Sequence, residues 1–225
     1  MRIAISTGGG DAPGLNAVIR AAVLSALDRG WHVLGIRKGY AGLLGDDDVV
    51  PLTRDDVRGI GHLGGTILRT TNRGNPFSYP VRQPDGSFRE VDRSDELIEN
   101  ARNLGINALI AIGGDGSLRI AHQLHEKGLR VVGVPKTIDN DLPITDHCPG
   151  YGSVIKHIAT TVRELACDNA AMGQGDLVQV VEVMGRSAGW IAAGAALAKR
   201  RDQPHDPPHL ILLPEVPFNQ EKVLE

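Results

Sequence analysis

Two glycine turns constrain this chain more than any other feature, because each stands where an apolar run stops and a helical pattern begins. Arg2 to Thr7 is a short apolar run that halts at Gly8-Gly9-Gly10. Leu15, Val18, Ile19, Ala22, Val23 and Ala26 then recur on one helical face until Gly30 ends it. A second run, His32 to Ile36, follows at once. Two strands joined through a helix must form a right-handed parallel crossover, so the first 36 residues read as a βαβ unit. The pattern then returns. Ser94 can cap a helix carrying Leu97, Ile98, Ala101 and Leu104, Gly105 closes it, and Ala108 to Ile112 is the next strand. The second turn, Gly113-Gly114-Asp115-Gly116, opens a helix from Ser117 to Lys127 that ends at Gly128, and the strand Arg130 to Val134 is stopped by Pro135.

Other segments fill in the architecture. Ser78 to Val91 holds Asp85-Gly86 between alternating stretches and predicts a β-hairpin. From Tyr151, a helix with Val154, Ile155, Ile158, Val162 and Leu165 is expected to lead to a strand at Asp176 to Val183. A helix from Ser187 to Lys199, a proline-rich loop at Pro204 to Pro208 and a strand at His209 to Leu213 complete the expectation. The alternation predicts an α/β fold with parallel-rich sheets flanked by helices, in two lobes. The chain stops at Glu225, where a further helix would begin, so the second lobe is expected to be incomplete.

Composition removes several classes of function. Lys and Arg number 24 against 27 Asp and Glu, and no basic stripe is present, so a nucleic-acid partner is not expected. No apolar run reaches the roughly 18 residues of a membrane span, and the start MRIAIST lacks the features of a signal peptide, so a cytoplasmic protein without membrane attachment is expected. Cys148 and Cys167 have no CxxC partner and read as small buried or half-buried residues in a reducing compartment. His62, His122, His125 and His157 show no metal-ligand spacing.

The loops carry the chemistry. Gly8-Gly9-Gly10-Asp11-Ala12-Pro13-Gly14, at a strand end and a helix start, is where backbone amides favour a phosphate; a tight turn without ligand is the plain alternative. Its glycines are spaced one residue too far for a dinucleotide fingerprint, and the second strand ends in Arg37-Lys38 rather than an acid, so NAD is disfavoured. Two such loops at one sheet edge point to a polyphosphate. Asp115 is a candidate Mg2+ ligand or a helix cap. Pro135-Lys136-Thr137-Ile138-Asp139-Asn140-Asp141 offers two carboxylates beside a Thr and a Lys, either as a base and anion partner or as Asx turns. In Met184-Gly185-Arg186 the guanidinium can clamp a phosphate or make a surface ion pair. Arg73, in a polar loop followed by Gly74, can reach a donor or only solvent.

Read together, GGGDAPGLNAVIR, GGTIL with the Arg that follows, IGGDGS, PKTIDND, VEVMGR with AGWIA, and LLPEV resemble the 6-phosphofructokinase family along the whole chain. The resemblance implies a two-lobed kinase fold, with a donor lobe at 1–138 carrying the hairpin near 78–91 and a truncated sugar-phosphate lobe at 139–225. It implies glycolytic phosphoryl transfer, with Mg2+, to the 1-hydroxyl of fructose 6-phosphate, in a cytoplasmic, allosteric homo-oligomer, dimer or tetramer. Asp139 matches the family's general base. Thr137, Ile138, Asp139, Met184, Gly185 and Arg186 match the substrate site. Gly10, Arg73, Gly74, Gly114, Asp115, Gly116 and Ser117 match the donor site, with Asp115 on the metal side.

Two departures accompany the match. Where many bacterial ATP-dependent members carry a cross-subunit Arg, this chain has Leu177. Family chains also continue well past this C-terminus, and the later Glu, His and Arg residues of the sugar site have no counterpart, which makes a truncated product or fragment the expectation. For the donor, the family places Gly after GGD in ATP users and Asp in pyrophosphate users, since a carboxylate there repels the α-phosphate region. Gly116 thus selects ATP, while Lys136, shared by pyrophosphate enzymes and one ATP branch, discriminates poorly. Pyrophosphate use and a non-catalytic phospho-ligand sensor are the rival readings.

Overall fold

The computed structural model describes residues 1–45, 48–172, 178–203 and 205–224. They divide into two compact units, Met1–Lys136 and Thr137–Glu225. Among the described residues, no helix is long and apolar enough to cross a membrane.

Unit 1 is built on a five-stranded sheet. In chain order its elements are β1 (Arg2–Thr7), α1 (Leu15–Leu27), β2 (His32–Ile36), β3 (Val49–Pro51), β4 (Tyr79–Arg82), β5 (Phe88–Val91), α2 (Ser94–Asn103), β6 (Ala108–Gly113), α3 (Asp115–Glu126) and β7 (Val131–Pro135). The sheet order is β3-β2-β1-β6-β7, with β2, β1, β6 and β7 parallel and β3 antiparallel on one edge. The crossovers β1-α1-β2 and β6-α3-β7 run outward from the centre in opposite directions, so right-handedness places α1 and α3 on opposite faces. With both faces covered, Ile3 to Thr7 are all buried, which is why β1 reads as a continuous apolar run. One face packs Ala4, Ile36, Leu109 and Ala111 against Leu97 and Ala101 of α2 and Ala121 and Leu124 of α3. β4 and β5 form the expected hairpin, and the neighbouring Arg93 and Lys127 stack over Tyr79 and Phe77. The short β3 carries no alternation that announces it; it pairs only through register with Leu34 to Ile36.

Unit 2 departs from expectation. Its elements are α4 (Tyr151–Ala171), α5 (Trp190–Gly194) and α6 (Gln220–Leu224). Residues 178–183 and 209–213, expected as strands, form no strand, while the first two positions of the expected strand at 176–183 lie outside the described residues. A strand needs a neighbour for its backbone groups, and no sheet forms among the described residues of this unit. The helix expected over 187–199 begins only at Trp190 and tightens into a 3-10 turn at Ala195–Ala198. Val162 of α4 packs against Ala195 and Ala198, with Ile158 and Ala159 beside them. Cys148 is buried, as read, but Cys167 is exposed.

Candidate functional site

The sheet order brings the two glycine loops together. β1 and β6 are neighbours, and their crossovers leave in opposite directions, so the loops after them meet at the carboxyl edge at a topological switch point. The amide of Gly8 donates to the carbonyl of Ile112 at 2.9 Å. A Cβ on Gly8 would lie 2.6 Å from Ser117 Oγ, and one on Gly113 would lie 2.5 Å from Ser117 Cβ, so glycine at both places lets the loops close on the first turn of α3. Lys136, buried at the end of β7, donates from its ammonium to the carbonyl of Gly10. Gly10, Gly114, Ser117 and Lys136 are thereby gathered at one edge.

The two loops are not equivalent. The amides of Gly8 and Gly9 are committed, to Ile112 and to the carbonyl of Thr71 at 3.0 Å. The second loop leads directly into α3, whose N-cap Gly114 makes no side-chain cap. The first-turn amides of a helix lack intrahelical partners, so the start of α3 is the stronger place for an anion. Space at Gly116 is open, with nothing within 4 Å of where a Cβ would stand.

Asp115 is the first residue of α3 rather than its cap, and Arg119 donates to its carboxylate at 2.9 Å on the exposed surface. Among the described residues no group of three or more His, Cys, Asp and Glu is arranged to hold a metal. A single exposed carboxylate beside an anion site nonetheless fits an ion such as Mg2+, which takes one or two carboxylates and fills its remaining positions with phosphate oxygens and water. Arg73 is exposed, its amide donating to Thr71 Oγ1 at 3.0 Å, and Gly74 turns with φ 100 where a Cβ would press on Ala41 at 3.1 Å.

Within unit 2, Thr137 Oγ1 accepts the amide of Asp139 at 3.1 Å, and Asp139 Oδ1 is shielded from solvent. Ile138 is half-buried beside them. Asn140, in the left-handed region at φ 53, bridges its loop by donating to the Asp146 carbonyl at 3.2 Å and accepting the Cys148 amide at 2.8 Å. An open cavity of about 460 Å3 next to it is lined by Asn140, Asp141, Asp146, Tyr151 and Trp190, among others. Met184, Gly185 and Arg186 do not end a strand, as the sequence implied. Met184 and Arg186 are exposed, and the segment is held by a turn in which Ala188 donates to Gly185 and by the Glu215 carboxylate, which accepts the Gly189 amide at 2.7 Å. Leu177 lies outside the described residues.

Sequence reasoning passed over Thr7, Asn16, Thr70 and Glu215. Asn16 is 3% exposed, donates to the carbonyls of Leu63 and Gly64 and accepts the amide of Ile67, lacing the 63–67 segment to α1. A signal existed: an Asn on the same helical face as Ile19 and Val23 is a buried polar group that must find partners.

Comparison with known proteins bears on the family and the fold. The phosphofructokinase family profile matches residues 2–225. The chain is 46% identical, over all of its own length and 59% of the other, to an ATP-dependent 6-phosphofructokinase of Chloroflexus aurantiacus. It is 42% identical, over all of its length and 60% of the other, to a pyrophosphate–fructose 6-phosphate 1-phosphotransferase of Amycolatopsis methanolica. A solved pyrophosphate-dependent phosphofructokinase from Nitrosospira multiformis superposes with a TM-score of 0.80 at 29% identity, over 99% of this chain and 55% of that one. The chain thus spans about three fifths of the length of these curated relatives. With a profile match along essentially its whole length and the same α/β architecture, the chain belongs to the phosphofructokinase family.

Proposed function

We propose that this chain carries the donor side and the hydroxyl-activating side of a 6-phosphofructokinase, moving a phosphoryl group from ATP, with Mg2+, to the 1-hydroxyl of fructose 6-phosphate. The observation that carries the reading is the pair of glycine loops at the switch point, closed on the N-terminus of α3. There Gly10, Gly114, Gly116 and Ser117 would receive the donor phosphates, with Arg73 and Gly74 on the loop nearby. Asp115 would hold Mg2+, which supplies charge neutralisation to the phosphates. Asp139 would take the proton of the sugar hydroxyl, its backbone turned by Thr137. Thr137, Ile138, Met184, Gly185 and Arg186 would receive the sugar phosphate, with Glu215 steadying the last segment through Gly189.

ATP is favoured over pyrophosphate by the open space at Gly116. Pyrophosphate remains a second reading because buried Lys136 places a cation against the first glycine loop, where a small bare donor would meet it. A coupled assay for fructose 1,6-bisphosphate with each donor separates them, and Gly116→Asp is expected to weaken ATP far more than pyrophosphate. Asp139→Asn is expected to cut kcat by about two to four orders of magnitude while donor and sugar still bind. Near-normal turnover in Asp139→Asn would remove that residue from the chemistry. Donor binding without turnover by either route would favour a phospho-ligand sensor. The resemblance extends the reading to a cytoplasmic, glycolytic homo-oligomer under allosteric control.

A further inference from the structure

We propose that Thr70 is a positioning residue for the first glycine turn, its hydroxyl fixing which way that turn presents its backbone beside the donor phosphates. The latch itself stands on geometry; its effect on a donor rests on the functional reading above. A run of three glycines has no side chains with which to hold one orientation, and Gly9 sits at φ 84, a conformation glycine enters and leaves at little cost. Both backbone groups of Gly9 are nevertheless tied to a segment 61 residues away. Its amide donates to the Thr71 carbonyl at 3.0 Å, and its carbonyl accepts from Thr70 Oγ1 at 2.7 Å. A hydroxyl has one proton to give. The Thr7 carbonyl, at 3.3 Å, is the longer contact, so Gly9 is the principal acceptor.

Thr70 is itself held in place. The residue before it, Arg69, is in the left-handed region at φ 58, and its carbonyl accepts from Thr7 Oγ1 at 2.9 Å. Thr7 is fully buried at the end of β1, and its hydroxyl also meets Thr66 Oγ1 at 3.1 Å, while Thr66 Oγ1 accepts the Leu68 amide at 3.1 Å. A chain of hydroxyls thus runs from β1 to the 66–71 segment and back onto Gly9. On the far side of the turn, Gly8 is bonded to β6 and packed on Ser117, and Gly10 holds Lys136. Releasing Gly9 therefore loosens the wall that faces the start of α3.

The test compares Thr70→Val, which keeps the shape and loses the proton, with Thr70→Ser, which keeps the proton. Amide hydrogen exchange is read at Gly9, with Ile5 and Ile110 in the strands as internal controls. In Thr70→Val the Gly9 amide is expected to exchange about tenfold faster with the strand amides unchanged, and in Thr70→Ser to stay near wild type. Calorimetric titration with MgATP and with magnesium pyrophosphate is expected to show about tenfold weaker binding in Thr70→Val and recovery in Thr70→Ser. Unchanged exchange at Gly9 in Thr70→Val overturns the proposal, as does Thr70→Ser behaving like Thr70→Val, or donor binding as tight in Thr70→Val as in wild type. If wild type binds neither donor, the donor-side reading fails and the exchange data alone decide the latch. Thr70→Ala is run in parallel. If neither Thr70→Val nor Thr70→Ala folds while Thr70→Ser does, the residue is structural and the proposal falls.

Discussion

Unit 1 and unit 2 contain apolar runs of the same kind and treat them differently. In unit 1 the runs at Arg2–Thr7 and Ala108–Gly113 become central strands, each bonded on both sides. In unit 2 the stretches at 178–183 and 209–213 have similar length and composition, yet they form no strand, and Val180 and Leu210 are 88% and 61% exposed. The contrast teaches that a strand is a property of a pairing rather than of a segment. An isolated strand leaves every amide and carbonyl to water and gains nothing from its apolar side chains until a neighbour or a helix covers them. Unit 2 instead relies on the long α4, whose packing against Ala195 and Ala198 buries little. Local stability is expected to follow the same division.

The largest test of that division is a matched pair of truncations. Ile5→Ala removes a fully buried side chain from the centre of the sheet and is expected to cost about 4 kcal/mol, whereas Ile155→Ala on α4, 7% exposed, is expected to cost about 2 kcal/mol. Equal losses in denaturant unfolding would break the comparison. Added volume probes the same difference. A Cβ at Gly42 in unit 1 would strike the carbonyl oxygen of Arg37, a backbone group that cannot turn aside, so Gly42→Ala is expected to cost about 3 kcal/mol. At Gly194 in unit 2 the obstacle is the terminal methyl of Ile155, which can rotate, and Gly194→Ala is expected to cost about 1 kcal/mol.

Cysteine labelling sharpens the comparison without changing any residue. Cys167 is exposed and should react at once with a thiol reagent. Cys148 is buried, and burial raises its thiol above the ordinary range, so it should react only as fast as unit 2 opens. If Cys148 labelling keeps pace with exchange of the β1 amides, the two units open together and the division is wrong. The smallest effect lies in acid. Hydrogen bonds from Arg200 hold Asp206 down to about 2, below its ordinary 3.8. A lowered carboxyl pKa in the folded chain contributes stability that is present above the unfolded value and lost as pH falls through about 2. The pair lies at the surface, with the Arg200 side chain exposed and Asp206 half-buried, so the contribution is small. Arg200→Gln should move the Asp206 midpoint in an NMR titration up toward 3.8; an unmoved midpoint would deny the pair any influence.

Much of unit 1 was legible because its signals are local. Gly30, Gly105 and Gly128 sit at φ 71, 68 and 98, the left-handed ends that stop helices, and Asp85-Gly86 marks the hairpin. The glycine loops were equally visible. Their division of labour was not, because the commitment of the Gly8 and Gly9 amides depends on partners at Ile112 and Thr71, far away in sequence. The same is true of Glu215, whose bond to Gly189 spans 26 residues. β3 went unread for a related reason: three residues carry too little periodicity, and only register with β2 makes them a strand.

Residue pattern therefore settled the α/β alternation of unit 1, the place of the two loops at strand ends and the resemblance to phosphofructokinases, since each rests on the preferences of a few neighbouring residues. Three things were left to long-range packing. Strand order put the loops side by side, Thr7 and Thr70 set the first turn, and pairing decided which apolar runs became strands. The physical reason is common to all three. A glycine turn or an apolar run has several local conformations of nearly equal energy, and the hydrogen-bond partners that choose among them arrive only when distant segments meet.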